Sequence, residues 1–203
     1  MFDKPYNPLE KKNLAASVSE ALLARPISPL PPEEPFEGAG IYAIYYVGQF
    51  STYESIAQKN RDGQFKLPIY VGKAVPAGSR KGGYGFYEAS GKARYRRLCE
   101  HAETIRQAEN LNIDDFFCRY LVVDDIWIPL GEALLIEWFY PVWNMVIDGF
   151  GNHDPGSGRY SGKRSRWDTI HPGRAWANRL KDNPESIEQI VDKVKEHKAK
   201  YEV

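Results

Sequence analysis

Gly40-Ile41-Tyr42-Ala43-Ile44-Tyr45-Tyr46-Val47, read together with Leu67-Pro68-Ile69-Tyr70-Val71-Gly72-Lys73, decides how the rest of the chain is organised. Both pieces are rich in β-branched and aromatic residues, and a proline stands at the entry of the second, where a missing N–H costs least. Each therefore reads as a strand. Paired side by side, they place Tyr42 and Tyr70 on one face and Ile41 and Val71 on the other, because side chains alternate along a strand.

Further elements follow in order. Lys92 to Gln107 reads as a helix on which Arg97 and His101, four residues apart, share a face. Asp115 to Val123 is aromatic and β-branched and reads as a third strand. Pro129 to Phe139 is an apolar helix that buries one side and carries Glu132 near its first turn; Asn144 comes twelve residues after Glu132, in Pro141-Val142-Trp143-Asn144. Strand, strand, helix, strand, helix is an α+β layer with a three-stranded antiparallel sheet flanked by helices.

From Ala39 to Asn144 this series resembles the signature of the GIY-YIG nucleases, here written Gly40-Ile41-Tyr42 and Tyr70-Val71-Gly72, then Arg97 with His101, then Glu132, then Asn144. The resemblance implies the same α+β core and phosphodiester hydrolysis. It also implies roles: Tyr42 as general base, Tyr70 positioning the nucleophile or the phosphate, Arg97 on the scissile phosphate, His101 as a relay or phosphate contact, and Asn144 as a buttress. Glu132 would hold one Mg²⁺ whose remaining positions are filled by water, since Mg²⁺ takes few protein ligands and keeps its hydration. No second carboxylate stands at comparable spacing, and Glu137 lies off the face of Glu132, where a salt bridge is expected. A tyrosine has a solution pKa of ~10, so as a base it needs nearby cations. Lys73, together with Arg97 or His101 from the facing helix, is expected to lower it.

The chain has 203 residues, enough for one core with appended arms, with a formal net charge of +0 that gives no hint of partners. The distribution of charge is more informative. Arg80, Lys81, Lys92, Arg94, Arg96, Arg97 and Arg106 outnumber the acids around them, and Arg159, Lys163, Arg164, Arg166, Arg174 and Arg179 face only Asp168. Two basic segments in a neutral chain suggest one basic face. Cys99 and Cys118 have no metal-ligand spacing and fit a reducing compartment. No apolar run approaches a membrane span and the start lacks a signal-peptide core, so a cytoplasmic location without membrane contact is expected; the resemblance to the restriction enzymes among these nucleases implies a bacterial host-defence setting.

Three regions are expected. Residues 1–36 form an arm: a helix from Asn7 to Arg25, with Asn7 as N-cap and Pro8 in the first turn, then five prolines between Pro26 and Pro35 that enforce an extended linker. That helix docks either on the domain or on a second subunit. Residues 37–148 form the core, with an inserted segment from Ser51 to Asp62 and a glycine-rich basic loop over 74–90. This loop either touches a phosphate chain through Arg80 and Lys81 or is plain surface; no Gly-Lys-Ser/Thr ends it as a nucleotide loop would require. Residues 149–203 hold a basic glycine-punctuated loop followed by helices from Gly173 to Leu180 and from Ser186 to Tyr201.

In that last region Asn152, His153, Arg159, Lys163, Arg164 and Arg166, together with Arg80, Lys81, Arg94 and Arg96, are the expected contacts to double-stranded DNA. Arginine can read guanine O6 and N7 with two parallel hydrogen bonds. Asn152-His153-Asp154 is a poor metal site, because three adjacent loop residues do not easily converge on one ion. Without the extra domains of repair or homing enzymes, the chain is similar in outline to the Type II restriction enzymes of this family that recognise CCGCGG. Such an enzyme reads a palindrome as a homodimer and needs no organic cofactor. A non-catalytic DNA-binding module of the same fold, or a homing or repair nuclease, is the alternative.

Overall fold

The computed structural model describes residues 5–75 and 93–201. Its framework is a four-stranded antiparallel sheet in the order β1-β4-β2-β3, formed by β1 (Ser28–Pro29), β2 (Gly40–Tyr46), β3 (Tyr70–Ala74) and β4 (Phe116–Val122). Central β2 is buried along its whole length. Its register sets Tyr42 opposite Gly72 and Tyr120, and Ile44 opposite Tyr70 and Cys118.

Alternation along β2 feeds two cores. Tyr42, Ile44 and Tyr46 pack with α3 (Ala93–Gln107), α5 (Val142–Met145) and the C-terminal elements. Ile41, Ala43 and Tyr45 pack with Val71, with Leu22 of α1 (Lys11–Leu23), and with Ile128 and Leu135 of α4 (Ile128–Phe139). A strand covered on both faces must be apolar at nearly every position, which is why Gly40 to Tyr46 shows no polar alternation.

The sheet has one strand more than the sequence implies. β1 lies inside the proline linker and pairs Ser28 with Cys118 and Pro29 with Phe117. A two-residue strand at the sheet edge needs no donor from proline, so the linker's composition hides it. The first helix also begins later than expected. Asn7 accepts a hydrogen bond from the Leu9 amide at 3.0 Å, making a turn before the helix rather than capping it. The helix docks on its own domain: Leu22 is fully buried, and Gly131 of α4 leaves room for Val18, which a Cβ there would meet at 2.7 Å.

Residues 51–60 form a short 3₁₀ turn and α2 (Glu54–Asn60). Buried Asn60 ties this insertion to the strands, donating to the Tyr46 and Leu67 carbonyls and accepting from the Leu67 amide. After α5 come α6 (Arg166–Ile170) and α7 (Ile187–Tyr201), the latter anchored by Ile190 and Val194. The helix expected from Gly173 to Leu180 is only a 3₁₀ turn at Ala177–Arg179. Arg174 and Ala177 there point into the protein as single anchors, with no repeating apolar stripe. Among the described residues no helix is long and apolar enough to cross a membrane.

Candidate active site

Tyr42 lies at the centre of the sheet, and its ring passes over Gly72 on the neighbouring strand. A Cβ at Gly72 would meet the Tyr42 hydroxyl at 2.5 Å, so that strand position must be glycine. Beyond Gly72 the hydroxyl meets His101 Nε2 at 2.7 Å, with both side chains buried. Tyr70, on the same sheet face, packs its ring 6.3 Å from Tyr42 and 5.2 Å from His101.

Arg97 sits one helical turn before His101 and is held from three directions. Its Nη1 donates to Glu100 at 2.9 Å and lies 2.9 Å from His153 Nε2, and its Nη2 donates to the Gly151 carbonyl at 3.2 Å. Burial works against its charge, but Glu100 and the two tyrosines outweigh that and raise its pKa. It stays a cation at the rim.

Around the edge of β3, Lys73 forms an ion pair with Glu132 at 2.6 Å. Glu132 falls just after the first turn of α4 and is partly exposed. Asn144 seals the same edge: its side chain accepts from the Val71 amide and donates to the Val71 carbonyl, each at 2.8 Å. A side-chain amide thus completes hydrogen bonds that a further strand would otherwise make, and it fixes the backbone between Tyr70 and Gly72.

Electrostatics correct one expectation. Tyr42 has its pKa raised well above the ordinary tyrosine value, chiefly by burial and then by Tyr70; Arg97 opposes the rise without cancelling it. His101 is pushed well below the ordinary histidine value by burial and by Arg97. The pair is therefore neutral at physiological pH, one hydrogen bond joining the Tyr42 hydroxyl and His101 Nε2. Lys73 does not lower the tyrosines, since its ammonium is engaged with Glu132.

Other expected positions divide. Arg80 and Lys81 lie outside the described residues. Arg94 is not a DNA contact: it is fully buried under Phe36 and Tyr120 and donates to the Ala39 and Glu37 carbonyls. Arg96, two residues on and turned about 200° around the helix, is exposed. Glu137 is exposed and makes no ion pair among the described residues. Arg166 is tied to Glu185 and the Val146 carbonyl, and Arg164 to Asp182 and the Ala177 carbonyl. Arg159 and Lys163 are exposed and line a cavity of about 440 Å³ with Asn152, His153 and Trp176. Asn152 and Lys163 are shared with a second cavity of about 570 Å³ that reaches Asn144.

Phe150 and Gly151 escaped the sequence reading. Phe150 stacks on His101 with centroids 4.5 Å apart and rings 12° from parallel, and Gly151 supplies the carbonyl for Arg97. No local pattern marks either residue, because both meet partners about fifty positions away in the chain.

For a metal, Glu132 is the available carboxylate, and no group of three or more His, Cys, Asp or Glu residues suited to an ion occurs among the described residues. A lone, partly exposed carboxylate fits Mg²⁺ bound mostly by water. Lys73, whose side chain is 41% exposed, has room to swing away from it.

No curated protein matches the sequence. A family model described as the Eco29kI GIY-YIG domain matches residues 34–198, which spans β2, β3 and β4, the Tyr42–His101–Arg97 cluster, Glu132, Asn144 and the loop carrying Phe150. The chain belongs to the Eco29kI family of GIY-YIG restriction nucleases.

Proposed function

We propose that the protein is a Type II restriction endonuclease that hydrolyses both strands of double-stranded DNA at a GC-rich palindrome of the CCGCGG kind, in a Mg²⁺-dependent reaction and as a homodimer. The observation that carries this reading is the buried Tyr42–His101 hydrogen bond of 2.7 Å with the Arg97 guanidinium beside it.

In this reading Tyr42 receives the proton of the attacking water while its own proton moves to Nε2 of a His101 imidazole that carries its proton on Nδ1, a ring that burial keeps neutral and able to accept. The phenol thus serves as a base without first becoming a free phenolate, a form that burial disfavours. Arg97, aimed by Gly151 and Glu100, bonds the phosphoryl oxygens and neutralises the charge that grows there in the transition state. Tyr70 packs beside Tyr42 and orients the water or the phosphate. Asn144 keeps the strand carrying Tyr70 in register. Glu132 is the residue that would hold a Mg²⁺ once Lys73 turned away, and a bound ion would supply Lewis-acid stabilisation of the leaving oxygen. Lys73 is then free to face the phosphate chain.

Sequence reading falls to the exposed residues beyond the site. Arg159 and His153 line one open cavity, and Asn152 and Lys163 line both that cavity and its neighbour, which reaches Asn144. A palindrome read this way requires a two-fold symmetric pair of chains with one active site for each strand.

The test is digestion of plasmid and phage-length DNA with Mg²⁺, with Glu132→Ala as control. Discrete bands that vanish in the variant support the reading, and end-sequencing gives the site. DNA binding without cleavage in Mg²⁺ or Mn²⁺ sinks it in favour of a binding module.

A further inference from the structure

The loop from Gly149 to His153 is a wall of the site, since Phe150 stacks on His101 and Gly151 and His153 hold Arg97. Phe150 seats the loop in the core among Tyr70, Trp143 and Trp167, and one side chain from outside the loop gathers its carbonyls. Arg174, 2% exposed, donates from one guanidinium to the carbonyls of Gly149 at 2.9 Å, Phe150 at 3.4 Å and Asn152 at 3.0 Å. Its Nε meets Asp168 at 2.5 Å, and its Cζ lies 4.6 Å from the ring centres of both Trp167 and Trp176. Asp168 is fixed in turn by the Ser165 hydroxyl at 2.6 Å.

We infer that Arg174 is a positioning residue for Arg97: by gathering three carbonyls of the 149–152 loop, it sets the Gly151 carbonyl that aims the Arg97 guanidinium at the phosphate. This chemistry needs an arginine. Three carbonyls in different directions plus a carboxylate require a planar fork of donors, and lysine offers a single ammonium that cannot span them. The loop in turn leaves no slack against Arg97, because a Cβ at Gly151 would stand 2.8 Å from its terminal nitrogen. Although Arg174 belongs to a basic segment, its charge is spent inside the protein and not on DNA. The catalytic consequence rests on the nuclease reading above; the placement of Arg97 does not.

The experiment compares Arg174→Lys with wild type in two ways. In single-turnover cleavage the variant loses about tenfold to a hundredfold, as small misplacements of a catalytic group do, while its affinity for DNA is nearly unchanged. In an Arg97→Lys background the same change costs less than about twofold, because a residue acting through Arg97 has nothing left to aim. Equal losses in both backgrounds overturn the inference. The second readout needs no activity: the Arg97 guanidinium NMR signals, assigned by their loss in Arg97→Lys, shift in Arg174→Lys. If those signals do not move, the inference fails even when the wild-type protein cleaves DNA. If wild type does not cleave, the nuclease reading fails and the NMR result alone decides this one. Should Arg174→Lys not fold, Gly151→Ala perturbs the far end of the same link. It is expected to shift the Arg97 signals at unchanged stability, and an undisturbed Arg97 again overturns the proposal.

Discussion

Two tyrosine–histidine pairs in this protein are almost the same object. Tyr42 meets His101 Nε2 at 2.7 Å with ring centres 5.5 Å apart, and Tyr53 meets His171 Nε2 at 2.7 Å with centres 5.6 Å apart. All four side chains are buried and both histidines are depressed by burial. Only their surroundings differ. His171 has its second nitrogen fixed by Asn110 at 2.8 Å and is packed among Phe50, Trp143 and Trp167. The nearby guanidinium of Arg174 is already neutralised by Asp168. His101 instead faces Arg97, and the Lys73–Glu132 pair lies around the strand edge. A buried tyrosine–histidine hydrogen bond is therefore a packing unit until a charged group with a free side stands beside it.

The sharpest way to break this contrast is to remove one hydroxyl at a time. Tyr42→Phe is expected to lower single-turnover cleavage by about 10³-fold, the scale of a lost general base. Tyr53→Phe should leave cleavage unchanged and lower the unfolding free energy by about 1–3 kcal/mol, because His171 Nε2 is left buried without a donor. Urea denaturation run beside the cleavage assay separates the two. Equal losses of cleavage would show that the pairs are not functionally distinct.

Acid separates the pairs next. His171 has its pKa lowered from 6.5 to about 3, by burial first and Arg174 second. The unfolded chain therefore binds the proton more readily, so the stability His171 contributes is present above its unfolded pKa and is lost as pH falls toward 3. The slope is at most about 1.4 kcal/mol per pH unit for one such group. Urea unfolding at pH 7, 6 and 5 should show a steeper loss for wild type than for His171→Asn, and parallel curves would contradict the assignment. Cleavage runs on a different group. In the proposed relay Tyr42 and His101 both react in their neutral forms, which burial maintains, so the rate should stay flat through pH 6 to 9. A rate that climbs about tenfold per pH unit would mean that a free tyrosinate does the work instead.

The smallest expected effect concerns the two asparagines. Asn110→Ala and Asn144→Ala each remove hydrogen bonds to buried groups and should each cost about 1–2 kcal/mol of stability. Only Asn144→Ala is expected to slow cleavage as well, by about tenfold, since Val71 lies between Tyr70 and Gly72 on the strand that Asn144 holds. If Asn110→Ala slows cleavage equally, the core pair communicates with the site and the contrast weakens.

Much of the frame was legible because it is written locally. β-branched and aromatic runs marked β2, β3 and β4, and the 3.6-residue period marked α3, α4 and α7. β1 was illegible because a strand of two residues containing proline carries no propensity of its own and exists only where β4 offers an edge. The stretch from Gly173 to Leu180 failed in the opposite sense, its residues suiting a helix while the interior demanded Arg174. Arginines were the hardest to sort. Arg94, Arg96 and Arg97 are near neighbours in sequence, yet one is buried, one is exposed and one holds the rim of the site, as rotation about the helix axis dictates once the packed face is known.

By itself the sequence determined the order and spacing of Tyr42, Tyr70, Arg97, His101, Glu132 and Asn144, since strand alternation and helical period act within a few residues and put these groups on their proper faces. The tertiary structure alone decided how tightly Tyr42 holds its proton, that Lys73 rests on Glu132, and that a loop gathered by Arg174 closes over Arg97. Desolvation, ion pairing and steric fit depend on atoms brought together from distant parts of the chain, and no local pattern records them.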